Sequence, residues 1–309
     1  MPDPLVVITG PTAVGKTKLA ALFAHRNHGE IISADSRQVY RGMDIGTGKD
    51  LADYVVDGKQ VPYHLIDILE AGDKYFINQY FKDYVRALKD IQSRGKLPVL
   101  CGGSGLYIET ALEGNPWSAI PINEPLREEL EQMTDRELLK RVEVIPQELL
   151  RQIDISTTKR MKRGIEIAEY LKEHDAPERD LPDVKATIFA LRLDRELVKK
   201  RIYERLLSRL ENGMVEEVEG LMARGISTED LKWYGLEYRW ITSYLLREVT
   251  KEEMIDRLNI GIRQFAKRQM TWFRRMEKQG YKLHWLDAGK PTEKLVGEME
   301  RLLFNKPNY

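Results

Sequence analysis

Apolar positions along the first hundred residues follow two different periods. Residues 5–9 (LVVIT) are a short β-branched run, and the stretch behind them, TKLAALFAHR, has helical spacing. A second largely apolar run, 30–34 (EIISA), ends at Asp35, a third spans 64–68 (HLIDI), and a fourth, 97–101 (LPVLC), is closed by Gly102-Gly103-Ser104-Gly105. Between them, residues 78–93 set Phe81, Val85, Leu88 and Ile91 at helical spacing before Gly95 stops the pattern. Short continuous strands alternating with helices predict an α/β fold, a parallel sheet covered by helices on both faces.

After Gly114 the texture changes. Residues 120–183 contain no convincing strand, and Pro116, Pro121, Pro125, Pro146, Pro177 and Pro182 punctuate the region. This predicts a small all-helical subdomain, 116–183, inserted into a core made of 1–115 and 184–309. Residues 186–193 (ATIFALRL) return as a strand. From Arg195 the chain reads as helical to about Lys278, with a break near 225–236.

Composition narrows the class. The 309 residues are 42% hydrophobic and 32% charged, which excludes a disordered or fibrous chain. Cys101 stands alone, so no disulfide framework or cysteine-built metal site is possible, and in its apolar run it reads as a core thiol. The five histidines show no ligand spacing. No run approaches a membrane span and the N-terminal one is too short for a signal peptide, so a cytoplasmic protein is expected. The 49 basic and 49 acidic residues cancel only in sum: 120–150 carry a net −4, whereas 151–163 carry +4 and 259–282 carry +6. Local positive stripes of this kind are what phosphate contacts require.

The octet Gly10-Pro11-Thr12-Ala13-Val14-Gly15-Lys16-Thr17 fits GxxxxGK[ST] and sits between a predicted strand and a predicted helix. In such a loop successive backbone N–H groups and the helix N-terminus cradle an anion. Lys16 neutralises terminal phosphate charge, and the Thr17 hydroxyl can ligate magnesium. The loop marks a bound phosphate or diphosphate without naming the reaction. Most enzymes with this loop add an apolar strand ending in Asp as a second magnesium anchor. Here the corresponding strand ends Cys-Gly-Gly-Ser, leaving Asp35 and Asp67 as strand-linked carboxylates, so a small-molecule kinase stays open at this point.

A second motif is more specific. Residues 35–49 (DSRQVYRGMDIGTGK), together with the phosphate loop, 64–67 (HLID), 102–107 (GGSGLY) and 263–273 (RQFAKRQMTWF), closely resemble the tRNA dimethylallyltransferase (tRNA isopentenyltransferase) family, from Gly10 to about Trp285. The resemblance implies a P-loop NTPase-like sheet with a helical insertion that contacts tRNA. It implies transfer of a dimethylallyl group from dimethylallyl diphosphate to the exocyclic amine of the adenosine immediately 3′ of the anticodon. It also implies magnesium as cofactor, the anticodon stem-loop of tRNA as partner, and no membrane association; a monomer is expected.

The residues suit that chemistry. Departure of an allylic diphosphate leaves carbocation character on the prenyl carbon, so the loop must stabilise diphosphate rather than transfer a phosphoryl group. Adenine's exocyclic amine is a poor nucleophile, and a carboxylate taking its proton is the natural remedy. Asp35, at the predicted C-terminal end of its strand, lies where open α/β sheets place their sites, and the resemblance gives it the role of base. The resemblance further puts Thr12 beside the bridging oxygen, Arg201 on the diphosphate, and Ser36, Arg37, Gln38, Ser104 and Arg127 on tRNA. Lys159, Arg160 and Arg163 match the family's basic RNA-contacting helix. Arg205, four residues beyond Arg201, reads as an ion-pairing helix residue, and Trp272 and Phe273 as core. Adenylate prenyltransferases, with AMP or ATP as acceptor, are close relatives, but the insertion and the basic tail favour RNA. Two departures stand out: Glu237 occupies a position where the family pattern has glycine, and the insertion is shorter than usual.

Overall fold

The computed structural model describes residues 3–178 and 181–304. The chain forms two compact units, one built from the chain up to Leu112 and again from Pro182, the other from Glu113–Leu181. In the first unit the order is β1 (Asp3–Thr9), α1 (Lys16–Arg26), β2 (Gly29–Ser33), a small hairpin of β3 (Val55–Val56) and β4 (Lys59–Gln60), β5 (Tyr63–His64), α2 (Ile77–Ser93), β6 (Leu97–Gly102) and α3 (Gly105–Glu113). The second unit contributes α4 (Glu124–Glu131), α5 (Asp135–Glu143), α6 (Gln147–Leu150) and α7 (Thr158–Tyr170). The chain returns with β7 (Val184–Arg192), then α8 (Arg195–Glu211), α9 (Met214–Ala223), α10 (Thr228–Trp233), α11 (Leu236–Leu245), α12 (Lys251–Lys278), β8 (Leu283–Asp287) and α13 (Thr292–Phe304).

Six strands make one all-parallel sheet in the order β5-β2-β6-β1-β7-β8. β1 is central, with Val7 opposite Leu100 on one side and Ile188 on the other. Its side chains alternate between two cores, as a doubly covered strand demands. Leu5 and Val7 pack with Tyr80, Leu88, Ile202 and Phe273 on one face, whereas Val6 and Ile8 pack with Leu19, Phe23, Val296 and Met299 on the other. The carboxyl ends of β1, β2 and β6 therefore meet along one edge of the sheet, where the phosphate loop, Asp35 and the Gly102-Gly103 turn begin.

The predicted α/β class holds, with local differences. The 64–68 run pairs only through Tyr63–His64, because Leu65 and Asp67 adopt positive φ (63° and 54°) and turn the chain out of the sheet. That turn carries Asp67 onto the fully buried ammonium of Lys49, which also donates to Tyr40 O (2.6 Å) and Asp44 Oδ1 (2.7 Å). The edge strand β8 and helix α13 lie beyond the predicted helical region. No helix among the described residues is long and apolar enough to cross a membrane.

The Glu113–Leu181 unit has its own small core of Leu130, Leu138, Val142, Ile145, Met161 and Ile165. Asn123, Thr134 and Thr157 cap α4, α5 and α7 through side-chain oxygens, supplying partners for helix N–H groups that have none within the helix. Glu166, almost wholly buried, accepts from Arg127 (2.8 and 3.0 Å), from Arg163 (2.9 Å) and from the Asn123 N–H (3.2 Å). Burial alone would raise its carboxyl, but these bonds outweigh burial and leave it below its ordinary value. A group depressed in the folded state contributes stability above its unfolded pKa, about 4.3, and loses it as pH falls. Acid titration of the full chain, followed by circular dichroism, is expected to show helix loss beginning below about pH 4.3. In Glu166→Gln that acid limb flattens and the neutral-pH melting temperature drops.

Candidate active site

A cleft of about 370 Å³ opens at the carboxyl ends of β1, β2 and β6. Thr12, Ala13, Gly15, Lys16, Thr17, Asp35, Ser36, Arg37, Gln38 and Ser104 all line it. The loop's other residues face elsewhere: Val14 is buried in the core, Gly10 abuts Leu191, and Pro11 borders a second cavity floored by Ile202, Ile260 and Met270.

The loop is held by one buried amide from α12. Thr12 N–H donates to Gln269 Oε1 (2.8 Å), and Gln269 Nε2 donates to Gly103 O (2.9 Å). A Cβ on Gly103 would collide with that same Nε2, so the close approach needs glycine. Thr9 Oγ1 adds a bond to Gly102 O (2.9 Å), fixing the ends of β1 and β6 together. Sequence reasoning put no weight on Gln269, although a glutamine on the buried face of an amphipathic helix signals a structural amide.

Charges of both signs line the cleft. Lys16 Nζ donates to Pro11 O (2.7 Å), and burial lowers its pKa to about 8 with help from the nearby Arg205 charge. Arg205 Nη2 donates to Thr12 Oγ1 (2.5 Å), and burial, then the charge of Arg209, brings its pKa down to about 10. Two cations and the amides of a helix N-terminus thus converge where an anion would sit. In the same cleft burial pushes the Asp35 carboxyl up, while the Arg37 N–H (2.9 Å) and the Lys16 charge pull it back. Arg37 stacks on Trp233 at 4.7 Å and donates to its carbonyl (3.3 Å). Gln38 bridges Ser33 Oγ (3.2 Å) and Gly48 O (3.3 Å). The half-exposed Phe265, with Arg268, lies at the same cleft. Burial drives the Cys101 thiol up to about 12, keeping it an inert neighbour of Lys16.

This arrangement has counterparts among known proteins. The profile of the IPP transferase family matches residues 38–276. A tRNA dimethylallyltransferase 1 of Parabacteroides distasonis is 49% identical over 302 residues, covering 98% of both chains. The chain belongs to the tRNA dimethylallyltransferase family. A solved full-length tRNA isopentenylpyrophosphate transferase from Bacillus halodurans has a TM-score of 0.72 at 32% identity, covering 97% of this chain and 95% of the other. A eukaryotic dimethylallyltransferase acting on tRNA shares the fold, with a TM-score of 0.77 at 22% identity over 99% of this chain and 80% of that one.

For a tRNA dimethylallyltransferase, the two arginines of α8 take different places. Arg201 is exposed and borders a neighbouring cavity with Gly15, Lys18 and Lys290, while Arg205 reaches Thr12. Residues four apart on a helix differ by only about 40° in phase and one turn along the axis, so both project from one side of α8 at different heights. Among the basic residues of the insertion, Arg127 and Arg163 are committed to Glu166, and Arg163 also donates to Trp117 O (2.8 Å) and Ile120 O (2.7 Å). Arg160 pairs with Asp154 (2.6 Å) and Lys159 is exposed. Phe273 is core, and Trp272 packs against Gly105. In a prenyl-transfer assay, Arg205→Ala is expected to cost about 10²- to 10³-fold in kcat, the range for loss of one aligned oxyanion donor. Arg201→Ala should stay within about threefold of the parent, in keeping with surface substitutions.

Proposed function

We propose that this enzyme transfers a dimethylallyl group from dimethylallyl diphosphate to the exocyclic amine of the adenosine immediately 3′ of the tRNA anticodon, releasing diphosphate. The observation that carries the reading is a single cleft lined both by a cationic cluster, Lys16 and Arg205 with Thr12, and by a buried carboxylate, Asp35. The allylic C–O bond breaks as the loop amides, Lys16 and Arg205 take up charge on the leaving diphosphate, and the Thr12 hydroxyl serves the bridging oxygen. The amine nitrogen forms the new C–N bond and its proton passes to Asp35. A carboxyl pushed up by burial is a better base than an exposed one, and it must be ionised to act. The rate should therefore rise with pH through the elevated Asp35 pKa.

Magnesium fits the donor set. Thr17 lines the cleft, and no cluster of three or more His, Cys, Asp or Glu able to hold a metal occurs among the described residues. A hard cation that keeps its waters and is bound mainly by substrate phosphates needs no more protein than that. When bound it would neutralise diphosphate charge.

For the acceptor, flipping a base out of an anticodon loop costs a few kcal/mol, to be offset by stacking and charge. Arg37 on Trp233, Ser36, Gln38, Ser104, Phe265 and Arg268 supply such groups at the cleft. The insertion's own basic residues for tRNA are the exposed Lys159, with Arg127, Arg160 and Arg163 able to serve only by sharing the carboxylates they now hold. The reading carries with it a cytoplasmic monomer.

Labelled dimethylallyl diphosphate with unmodified tRNA, AMP or ATP tests the reading. Label is expected on tRNA alone, and Asp35→Asn should lose transfer by at least about 10²-fold while retaining tRNA affinity. Label on AMP but not on tRNA would overturn it.

A further inference from the structure

About 620 Å³ of space opens between α8 and α12, next to the catalytic cleft and separate from it. The two share no lining residue: Pro11 borders this cavity, and the next residue, Thr12, lines the cleft. Helix α12 serves both. Ile262, Phe265 and Gln269 line the cleft, whereas Ile260, Arg263, Lys267, Met270 and Arg274 line the cavity at the three- and four-residue spacing of one helical face. Arg195, Val198, Lys199 and Ile202 repeat that spacing on α8.

The lining sorts into two kinds of surface. Aliphatic groups, Pro11, Val198, Ile202, Ile260 and Met270 among them, make a floor without an aromatic ring. Ile260 is 52% exposed, so part of that floor is open to an incoming chain. The charged part is wholly cationic: Arg195, Lys199, Arg263, Lys267 and Arg274, with no carboxylate among the lining residues. The cleft, by contrast, sets Asp35, Asp50, Asp53 and Glu237 among its cations. Of the five cations only Lys199 has an ion pair among the described residues, with Glu196 at 2.7 Å. Arg263 and Lys267 stand four apart, a spacing at which like charges repel. Arg263 Nε is also shut away from water and has no hydrogen-bond partner. A buried donor without an acceptor is costly, and an anion at this row relieves both conditions.

A ligand with an anionic head and an aliphatic chain answers both surfaces. RNA answers only one, because its phosphates suit the cations but its bases find no aromatic ring to stack on. A single carboxylate head would leave most of the cations unpaired, whereas a diphosphate meets several. Along α12 the floor runs from Ile260 to Met270, about 15 Å at 1.5 Å per residue and roughly three times the reach of a five-carbon tail. We propose that this cavity is a second binding site, for a prenyl diphosphate with a chain longer than the dimethylallyl donor's. Its diphosphate takes the Arg263–Lys267–Arg274 row and its chain lies on the floor between α8 and α12. The head-and-tail chemistry rests on the cavity alone; the choice of a prenyl chain rests on the function proposed above.

The test is calorimetric titration of farnesyl and dimethylallyl S-thiolodiphosphates, whose C–S bonds resist ionisation, into full-length wild type and variants with magnesium present. The farnesyl compound should bind Lys16→Ala, whose cleft is disabled, as it binds the cavity of the wild type. Lys267→Glu, at an exposed side chain, should weaken it about tenfold by reversing one charge at short range. Ile260→Asp should cost about as much by spoiling the floor. The dimethylallyl compound should show the opposite pattern, lost in Lys16→Ala and within about twofold of wild type in the other two. Farnesyl binding that is lost in Lys16→Ala and kept in Lys267→Glu and Ile260→Asp belongs to the cleft and overturns the proposal. So does a Lys267→Glu variant that loses affinity for an anticodon stem-loop and not for the farnesyl compound, which would give this face to RNA. If label reaches no acceptor while the farnesyl compound still binds, the function proposed above fails and the head-and-tail site stands.

Discussion

The active-site end of the sheet depends on the side-chain amide of Gln269. Its oxygen takes the N–H of Thr12 and its nitrogen reaches Gly103 O, so a single residue of α12 ties the phosphate loop to the turn after β6. Both ends are backbone groups, and a buried backbone group left without a partner costs about 1–3 kcal/mol. The loop's conformation therefore depends on a helix more than 250 residues away in sequence. Through that one tie, the core that seats α12 also sets where Thr12 presents its hydroxyl to Arg205. The chemistry of the loop is local, but its placement is tertiary.

How much of this was legible beforehand follows from the same distinction. Features set by local sequence could be read directly: the strands at 5–9, 30–34 and 97–101, the loop with its helix, and Asp35 at a strand end. Period, glycine placement and a strand–loop–helix order are properties of neighbouring residues. Of the 64–68 run only His64 stays in the sheet, because the pull on the rest is remote. Asp67 leaves the sheet to meet Lys49, and no pattern within five residues records that. Strand β8 leaves little mark in the sequence because an edge strand needs a weaker apolar signature than a central one. Arg201 and Arg205 are nearly in phase on one helix, so spacing alone does not separate them; the bond from Arg205 to Thr12 is a tertiary contact that no local pattern records.

Charge counting had a similar limit. Net positive charge over 151–163 marks a basic stretch, yet Arg163 is spoken for by Glu166 and Arg160 by Asp154. A cation that satisfies a buried carboxylate holds a small helical unit together, and one facing water remains available to a phosphate. Sequence gives the total of the two kinds; only the fold separates them. The division explains why a unit as short as Glu113–Leu181 maintains a core of six buried apolar side chains while remaining rich in charge.

The buried Lys49 has a consequence for recognition. Its ammonium links Tyr40 O, Asp44 and Asp67, and together with Glu217, which accepts the N–H groups of Asp44, Ile45 and Gly46, it fastens the segment that begins at Asp35 at several points along its length. Ordering a loose loop on ligand arrival costs about 1–2 kcal/mol per residue. With the acceptor bound at this cleft as proposed, a fifteen-residue segment already ordered on folding removes that penalty from the encounter. The conformational adjustment then falls to the incoming nucleic acid: a rigid template selects partners by how readily they deform, so a stiff loop would be rejected even if every base matched.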